Sequence, residues 1–331
     1  MALGRSVTSA SLTRLASGKV LIAGGLDPYT AAVTAVASVY DPQAGAVTNV
    51  GSLLKARENH TATLLGDGTV LITGGQPDHR FKSGTASAEL FDPATGSFSP
   101  LPDMSTARAG HTATPLHTGK VLIVSGLTSE LYDPGARTFG APGRTAYSRF
   151  NHTATRLHDG RVLLAGGDSD PARLYGNAEA ENYDPATNAF TRLTSDGAAW
   201  PAMMGPRHGH TATLLPDGRV LIAGGHDGDW STTDNYYWRY SSTTELFDPA
   251  TRRFSFGPPM TRARSGHTAT SMTDGRILMA GGQGPLNGEW IDFFTGAEVL
   301  SGATCTGTRP AARTRPRRAA AHGATACTRR A

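Results

Sequence analysis

Cysteine is nearly absent from this chain of 331 residues, and the two that occur, Cys305 and Cys327, both lie near its C-terminal end. Residues 1–300 therefore contain neither a disulfide nor a thiol nucleophile, which excludes cysteine-dependent catalysis from them. Because that part of the chain has no cysteine to oxidise, cysteine usage does not decide between an oxidising and a reducing compartment.

Long apolar runs are also missing. No stretch reaches the roughly eighteen apolar residues of a membrane-spanning helix, so we predict no membrane span. The first ten residues carry neither the apolar segment nor the cleavage pattern of a secretory signal. The catalytic motifs G-x-S-x-G and H-E-x-x-H and the phosphate-binding P-loop do not occur either. The absence of these motifs does not exclude a catalytic site assembled from residues of separate loops.

Acidic residues are missing from the end of the chain. After residue 299 there are seven arginines and no acid, which leaves 24 basic and 27 acidic residues before it. The net charge of +4 thus hides a body with a charge of −3, which is not a polyanion-binding surface. Residues 300–331, rich in Ala, Arg, Thr, Gly and Pro and without an aromatic, are predicted to be disordered or out of frame. A nucleic-acid or acidic-surface arm is the alternative.

What the chain has in abundance is a repeat. Six times an apolar triplet runs into a glycine, with a period of roughly 40 to 58 residues, which is typical of repeat architectures. Fourteen residues before the glycine stands a histidine opening the string His-Thr-Ala-Thr, except that the first copy has Ala10. An aromatic or aliphatic residue and an aspartate follow each glycine. The histidines are His60, His111, His152, His210 and His267, and the aspartates are Asp41, Asp92, Asp133, Asp184, Asp248 and Asp292.

Each repeat predicts four short strands. The His-Thr-Ala-Thr string is the first, and Asp-Gly pairs such as Asp67-Gly68 predict the hairpin after it. The apolar triplet is the second strand, and its lack of alternation indicates burial on both faces. The third ends at the aromatic-Asp-Pro, and segments such as Arg253-Phe254-Ser255 begin the fourth. Four antiparallel strands repeated around an axis make an all-β propeller.

The unit resembles the kelch repeat in four features in register: the His-Thr-Ala strand, the Gly-Gly pair, the Tyr-Asp-Pro and the late aromatic. The resemblance covers about residues 6–299 and implies a six-bladed kelch-type β-propeller over residues 1–299, with a seven-bladed parent as a further possibility. Galactose oxidase, whose catalytic domain is a kelch propeller, builds its copper-radical site around a cysteine cross-linked to tyrosine. The body of this chain has no such cysteine, so we expect no oxidase of that type.

The repeated histidines invite a metal interpretation. Equivalent atoms on neighbouring inner strands should lie on the order of 10 Å apart, whereas zinc needs nitrogen at about 2 Å. We therefore expect no metal and no other cofactor. The repeat histidines are expected to have a structural role, in which each imidazole forms a hydrogen bond with the backbone at the start of its strand. The alternative is that they contact a ligand near the mouth of the central channel. The glycine pairs are expected to meet a special backbone conformation or close approach.

A second periodic pair carries opposite charges. An arginine stands three residues before each repeat histidine, and a glutamate stands three before each aspartate except Asp41, where Ser38 takes its place. We predict structural ion pairs within blades 2 to 6, joining Arg57, Arg108, Arg149, Arg207 and Arg264 to Glu89, Glu130, Glu181, Glu245 and Glu289.

Function is sought where the repeats differ. The turns after strands one and three are nearly the same in every repeat, whereas the turns after strands two and four vary in length. The two variable kinds of turn lie on the same side of the propeller, which we call the variable-loop face, and the other side is the constant face. The two longest insertions hold three of the four tryptophans, rings that suit sugar stacking or peptide anchoring. The candidate ligand-binding residues are Trp200, Asp229, Trp230, Tyr236, Tyr237, Trp238, Tyr240, His79 and Arg80, with Asp78 and Asp168 beside them.

The sequence thus predicts a non-catalytic recognition or scaffold module, a monomer that binds a protein or a carbohydrate through the variable-loop face. The alternative is an enzyme with a site on that face, of the sugar-modifying isomerase or lyase type. A third interpretation is a fragment of a longer, seven-bladed protein. No specific nucleic-acid partner is expected. The Asp-Gly-Arg-Val-Leu-Ile-Ala-Gly-Gly repeats resemble those of exported or cell-surface bacterial proteins, but the residues themselves do not fix the compartment.

Overall fold

The computed structural model describes residues 8–27, 29–80, 83–169, 176–194, 202–229, 237–286, 290–294 and 296–300. For residues 228, 229, 237, 238, 286 and 290–292 it describes the backbone alone. Six antiparallel sheets follow one another along the chain and form the blades of a propeller, and in all but the third the strands pair in chain order. No helix within these ranges has the length and apolarity to cross a membrane.

Three blades are plain four-stranded meanders, as the repeat predicts. Blade 1 contains β1 (Ser11–Arg14), β2 (Val20–Ala23), β3 (Ala37–Asp41) and β4 (Ala46–Asn49). Blade 2 contains β5 (Thr61–Leu64), β6 (Val70–Thr73), β7 (Ala88–Asp92) and β8 (Ser97–Leu101). In blade 3, β9 (Thr112–Pro115) pairs with β10 (Val121–Asp133), which also pairs with β11 (Thr138–Phe139) and β12 (Gly143–Arg149). Blade 4 contains β13 (Thr153–Arg156), β14 (Val162–Ala165), β15 (Ala180–Asp184) and β16 (Ala189–Leu193).

Blades 5 and 6 carry an extra hairpin between their second and third strands. Blade 5 contains β17 (Thr211–Leu214), β18 (Val220–Ala223), β21 (Thr244–Asp248) and β22 (Arg253–Phe256), with the hairpin β19 (His226–Asp229) and β20 (Tyr237–Tyr240). Blade 6 contains β23 (Thr268–Ser271), β24 (Ile277–Ala280) and β27 (Ala297–Leu300), with the hairpin β25 (Gln283–Leu286) and β26 (Trp290–Phe293). Both hairpins lie on the variable-loop face.

One sequence prediction for blade 6 is wrong. Ile291-Asp292 was expected to end the third strand, but it lies in the inserted hairpin strand β26, and β27 pairs with β24 instead. The pairing places Leu300 opposite Ile277, as Phe247 lies opposite Val220 in blade 5. Leu300 therefore joins the core between blades 5 and 6.

The blades pack face to face through their second strands. In blades 2 to 5 all four residues of this strand are buried, which confirms the prediction from the unbroken apolar triplet. Five clusters of buried side chains each join one blade to the next, from blade 1 through blade 6. No such cluster within the described part of the chain joins blade 6 to blade 1, and Leu278 of blade 6 is 38% exposed where its equivalent Leu71 is buried.

Glycine is required at the two positions that follow the second strand. Gly166 has φ +62°, and a Cβ there would meet the Arg207 carbonyl oxygen of the next blade at 2.5 Å. Gly167 has φ +93°, and its amide donates to that same carbonyl. The pair therefore serves the close approach of neighbouring blades, as the sequence predicted.

The predicted Arg–Glu pairs are confirmed in blades 2 to 5, where nitrogen and oxygen atoms lie 2.6 to 2.8 Å apart. In blade 6 the expected partner was wrong, because Arg264 pairs with Glu298 at 3.2 Å and not with Glu289, which lies outside the described residues. Glu298 faces Met279 across the β24–β27 pair, as Glu245 faces Ile222 in blade 5. The pairs tie the start of each first strand to the third strand of the same blade.

The repeat histidines have a structural role, but their partner differs from the prediction. Nε2 of each imidazole bonds a hydroxyl of the preceding blade and not backbone at its own strand start. His111 Nε2 lies 3.0 Å from Thr61 Oγ1, and His60 bonds Ser11 in the same way. The other three histidines repeat the contact with Thr112, Thr153 and Thr211. The imidazole therefore links neighbouring blades, and Ser11 supplies the hydroxyl on blade 1.

Candidate functional site

The first strands of the blades all begin from the same strained backbone conformation, at the end of the channel that opens on the variable-loop face. The residue before each repeat histidine, or before Ala10, has a left-handed φ of 51° to 65°. Such values favour Gly and Asn, which occupy five of these positions. In five blades the residue just before this one forms an antiparallel β-bridge with the residue that follows the glycine pair. We call the left-handed residues and these bridged pairs together the channel mouth. The left-handed residues are Ser9, Asn59, Gly110, Asn151, Gly209 and Gly266, and the bridged pairs are Thr8–Leu26, Glu58–Gln76, Phe150–Asp168, His208–His226 and Ser265–Gln283.

Backbone hydrogen bonds join this level of one blade to the next. The amide of Gly110 donates to the carbonyl of Asn59, and the amide of Asn151 donates to Gly110, at 3.1 and 2.9 Å. Gly266 donates to Gly209 at 2.8 Å. The channel mouth is thus tied together from blade to blade, and side chains placed on it have fixed positions.

Blades 4 and 5 contribute a buried acid and a histidine to the channel mouth. Asp168, which directly follows the glycine pair of blade 4, is fully buried, and its Oδ2 accepts a hydrogen bond from Asn151 Nδ2 at 3.0 Å. Its Oδ1 lies 2.7 Å from Nδ1 of His208, which is 5% exposed. The contact is an ion-pair contact and is not aligned as a hydrogen bond.

A second histidine extends the cluster toward blade 6. The rings of His208 and His226 meet edge to face with centroids 3.7 Å apart. His226 Nδ1 lies 2.8 Å from Ser265 Oγ, and its ring stacks on Tyr240 at 5.2 Å. Burial and the neighbouring His208 lower the pKa of His226 to about 3, so His226 is neutral near pH 7. Burial also raises the pKa of the Tyr240 hydroxyl. The cluster therefore combines one carboxyl group, Asp168, with two imidazoles, of which His226 is neutral near pH 7.

Blade 2 carries a second pair of a carboxylate and a histidine. Glu58 is 1% exposed, and its Oε1 lies 2.7 Å from Nδ1 of His79, whose side chain is half exposed. Its other oxygen, Oε2, is buried and has no hydrogen-bond partner among the described residues. Buried carboxylate oxygens are normally satisfied, so an unpaired one at a channel mouth is a point where a ligand donor would be stabilised. Blade 2 stands three blades from blade 5 in the ring of six.

The predicted binding residues meet this site only in part. Tyr240 stacks on His226, and His79 contacts Glu58. Arg80 is 87% exposed and lies 3.6 Å from Asp78. Asp229, Tyr237 and Trp238 lie on the hairpin β19–β20, where Asp229 faces Tyr237 and Gly228 faces Trp238, and their side chains are not described. Trp200, Trp230 and Tyr236 lie outside the described residues.

Sequence reasoning missed Glu58, His208, His226 and Ser265. All four occupy the position two before the repeat histidine or directly after the glycine pair. Other blades have Ala109 or Leu127 at these positions, so a titratable residue there departs from the repeat. A position-by-position comparison of the six copies would have revealed the departures.

That the repeat histidines bind no metal stays a prediction. No group of three or more His, Cys, Asp or Glu side chains in the part of the chain that the structure describes is placed to hold a metal ion. We expect protein purified from metal-supplemented medium to carry no stoichiometric zinc or copper, and chelator to leave its melting temperature unchanged. Elemental analysis with thermal unfolding measures both, and tight one-to-one metal that resists dialysis would contradict the structural role.

Comparison with known proteins agrees with this architecture. A family model described as the kelch motif matches residues 206–261. A solved structure titled "Structure of YjhT" is similar with a TM-score of 0.65 and 15% identity over 88% of this chain and 94% of the other. A copper complex of a fungal alcohol oxidase of the AA5 family has a TM-score of 0.52 and 18% identity over 84% and 70%. No curated protein sequence matches the chain.

At these identities the solved structures establish the fold and nothing of the chemistry. The kelch motif match falls on blade 5, where the glycine pair, the arginine and the Phe-Asp-Pro lie in register with the other copies. The same ion pairs and inter-blade histidines recur in the neighbouring blades. The chain is a six-bladed β-propeller, and a kelch motif matches its fifth blade.

Proposed function

We propose that this protein is a recognition module that binds a carbohydrate at the channel mouth of its variable-loop face. The observation that carries the proposal is the presence of two buried carboxylates there, Glu58 and Asp168, each in contact with a histidine. Carboxylates without bulk water around them favour a ligand that donates several hydrogen bonds, and sugar hydroxyls do so.

The hairpin of blade 5 supports the same ligand class. Tyr240 and His226 form a stacked aromatic pair beside the cluster, and flat rings of this kind pack against the apolar faces of sugars. The hairpin itself carries further aromatic residues in sequence, Tyr237 and Trp238. A protein ligand anchored by these rings is the other form of the proposal, and it would depend less on the two carboxylates.

A glycan array probed with the whole chain tests the ligand class. We expect binding to one family of glycans, and Trp230→Ala or Trp238→Ala should weaken it by roughly thirtyfold or more, because aromatic anchors often contribute about 2 kcal/mol. The melting temperature should hardly change, since both residues belong to an inserted loop. Phe256→Ala is the matched control, because Phe256 is an exposed ring on the outer strand of the same blade.

The outcome that contradicts this proposal is unchanged affinity with a lowered melting temperature in the two tryptophan variants. The aromatics would then serve to pack the long loops onto the propeller.

The enzyme alternative is favoured by one observation, the contact of Asp168 with His208. A carboxylate that holds an imidazole in place is the arrangement used for general acid–base catalysis. Proton NMR of a bound glycan over hours distinguishes the two functions. A recognition module leaves the sugar signals unchanged, whereas an isomerase or lyase produces new ones, and Asp168→Asn would abolish them.

A further inference from the structure

Blade 6 lacks a hydroxyl that bonds the buried arginine in two other blades. In blade 2, Arg57 Nη2 donates to Ser87 Oγ at 3.1 Å, and Ser87 stands two residues before the paired glutamate. In blade 5, Arg207 Nη2 donates in the same way to Thr243 Oγ1, also at 3.1 Å. Blade 6 has Gly296 at this position, so its third strand provides no hydroxyl there.

Arg264 of blade 6 is therefore bonded less completely than its equivalents. Its Nη1 donates to the carbonyl of Gly281 at 3.0 Å, and its Nη2 lies 3.2 Å from Glu298 Oε1 without the alignment of a hydrogen bond. The equivalent Arg207 donates to the backbone carbonyl of Thr243 as well as to its hydroxyl. Arg264 is 3% exposed, and donors of a buried guanidinium are costly unless an acceptor reaches them.

A cavity of about 410 Å³ lies beside this guanidinium on the variable-loop face. It lies between the connection from blade 5, which contains Thr261 and Arg262, and the segment that leads from β26 into β27. Gly296 lines it, and a Cβ added to Gly296 would have no atom within 4 Å, so the place of the missing hydroxyl is open. The cavity has the size of sites that bind small organic molecules.

The walls of the cavity carry one more positive charge than negative. Arg264 is buried, whereas Arg262 is exposed. The guanidinium carbons of Arg264 and Arg262 lie 5.4 and 5.6 Å from the ring centroid of Phe294. Glu298 is the acid among the lining residues, and Arg262 has no acidic partner in the part of the chain that the structure describes. A ligand group with a single negative charge would neutralise the cavity.

We propose that this cavity is a binding site for an organic carboxylate with an apolar body. The two oxygens of a carboxylate match the paired N–H groups of arginine, so one oxygen accepts from Arg264 Nη2 in place of the missing hydroxyl and the other accepts from Arg262. The cavity is larger than a carboxylate group, and Phe293, which is 77% exposed, provides an apolar wall for the rest of the ligand. This site does not depend on the ligand proposed for the channel mouth.

Benzoate is the probe, and benzamide, which has the same ring without the charge, is its neutral counterpart. We expect isothermal titration calorimetry of the whole chain to show saturable binding of benzoate, and binding of benzamide at least about tenfold weaker.

Two variants test the position of the carboxylate. Gly296→Ser should weaken benzoate binding at least about tenfold, because the new hydroxyl takes the place of the ligand oxygen, as Ser87 does in blade 2. Arg262→Gln should weaken binding to a similar degree, since it removes the second charge. Both should keep the melting temperature of the parent. Gly66→Ser is the matched control, because a Cβ on Gly66 is equally unobstructed, in the turn after β5.

Four results would overturn the proposal. The first is the absence of saturable benzoate binding, and the second is equal binding of benzoate and benzamide, which would show that the charge is not recognised. The third is tighter binding of inorganic phosphate than of benzoate, which would indicate a site for a different anion. The fourth is unchanged benzoate binding by folded Gly296→Ser, which would place the carboxylate elsewhere.

Discussion

Acid is expected to unfold this protein steeply, and the loss of stability should begin near pH 6.5, above the pH at which its carboxylates titrate. Burial lowers the pKa of His60, His111 and His210 to about 3 and that of His267 to about 4, and it holds the pKa of His152 well below its usual value. The charge of the nearby repeat arginine adds to each shift. In the unfolded chain a histidine has a pKa of about 6.5. The folded protein therefore cannot bind the protons that the unfolded chain takes up below that value.

This difference in pKa determines how stability changes with pH. The contribution of each histidine to stability is complete above about pH 6.5 and is lost as the pH falls toward the folded pKa. Near pH 5 five such groups give a slope of about 7 kcal/mol per pH unit, and the loss of about 10 kcal/mol by that pH is comparable to the whole stability of a typical domain. We expect unfolding between about pH 5 and pH 4.

Urea unfolding at a series of pH values from 7 to 5 measures the slope. His111→Gln should reduce it by about one proton, because glutamine does not titrate. His117→Gln is the control and should leave it unchanged, since His117 is exposed on the constant face. If the parent protein takes up one proton or fewer on unfolding, as read from the slope of the unfolding free energy against pH, the repeat histidines are not buried in the neutral form.

The second large effect is expected at the buried ion pairs. Arg149 is fully buried; it donates to the carbonyls of Gly166 and Glu179 and to Glu181 Oε1 at 2.8 Å. Glu181 Oε2 accepts from the amide of Ala146. Arg149→Ala would leave the Glu181 carboxylate buried without a counter-charge and should cost about 3 to 5 kcal/mol.

Two further variants distinguish the loss of the ion pair from the loss of the arginine side chain itself. Arg149→Met with Glu181→Leu removes both charges together, and it should recover a large part of the loss. Lys19→Ala breaks the exposed pair of Lys19 with Asp41, whose atoms lie 3.1 Å apart, and should cost far less stability than Arg149→Ala. Free energies of unfolding in urea at pH 7 test all three, and a cost below about 1 kcal/mol for Arg149→Ala would contradict the structural role of the pair.

The sequence predicted the fold well because the repeat presents each structural requirement several times. The apolar triplet, the Asp-Gly turn and the Arg–Glu spacing all recur in register, so an error in one copy is corrected by the others. Blade 6 was misassigned because Ile291-Asp292 imitates the end of a third strand, while the true strand, β27, carries Ala297-Glu298-Val299-Leu300 without an aspartate. The inserted hairpin β25–β26 shifted the alignment of the sixth repeat with the other five. Since this insertion occurs in one copy only, the other copies could not correct the error.

The candidate site was harder to predict for a related reason. Aromatic residues in long loops are conspicuous in the sequence, and they led to Trp200, Trp230 and their neighbours. The buried groups of the channel mouth lie on the rigid repeat itself, next to the glycine pair and the repeat histidine. The contact between Asp168 and His208 joins residues of different blades, a distance that the repeat pattern alone does not give.

The measurement that tests the account most directly is binding to a glycan array by three forms of the whole chain: the parent, Glu58→Gln and Asp41→Asn. Glu58 lies at the channel mouth with one carboxylate oxygen unpaired, whereas Asp41 ends β3 on the constant face. We predict that the parent and Asp41→Asn bind the same glycans with equal affinity and that Glu58→Gln binds at least tenfold more weakly, all three with similar melting temperatures. Equal binding by Glu58→Gln, or no bound glycan at all, would contradict carbohydrate recognition at the channel mouth.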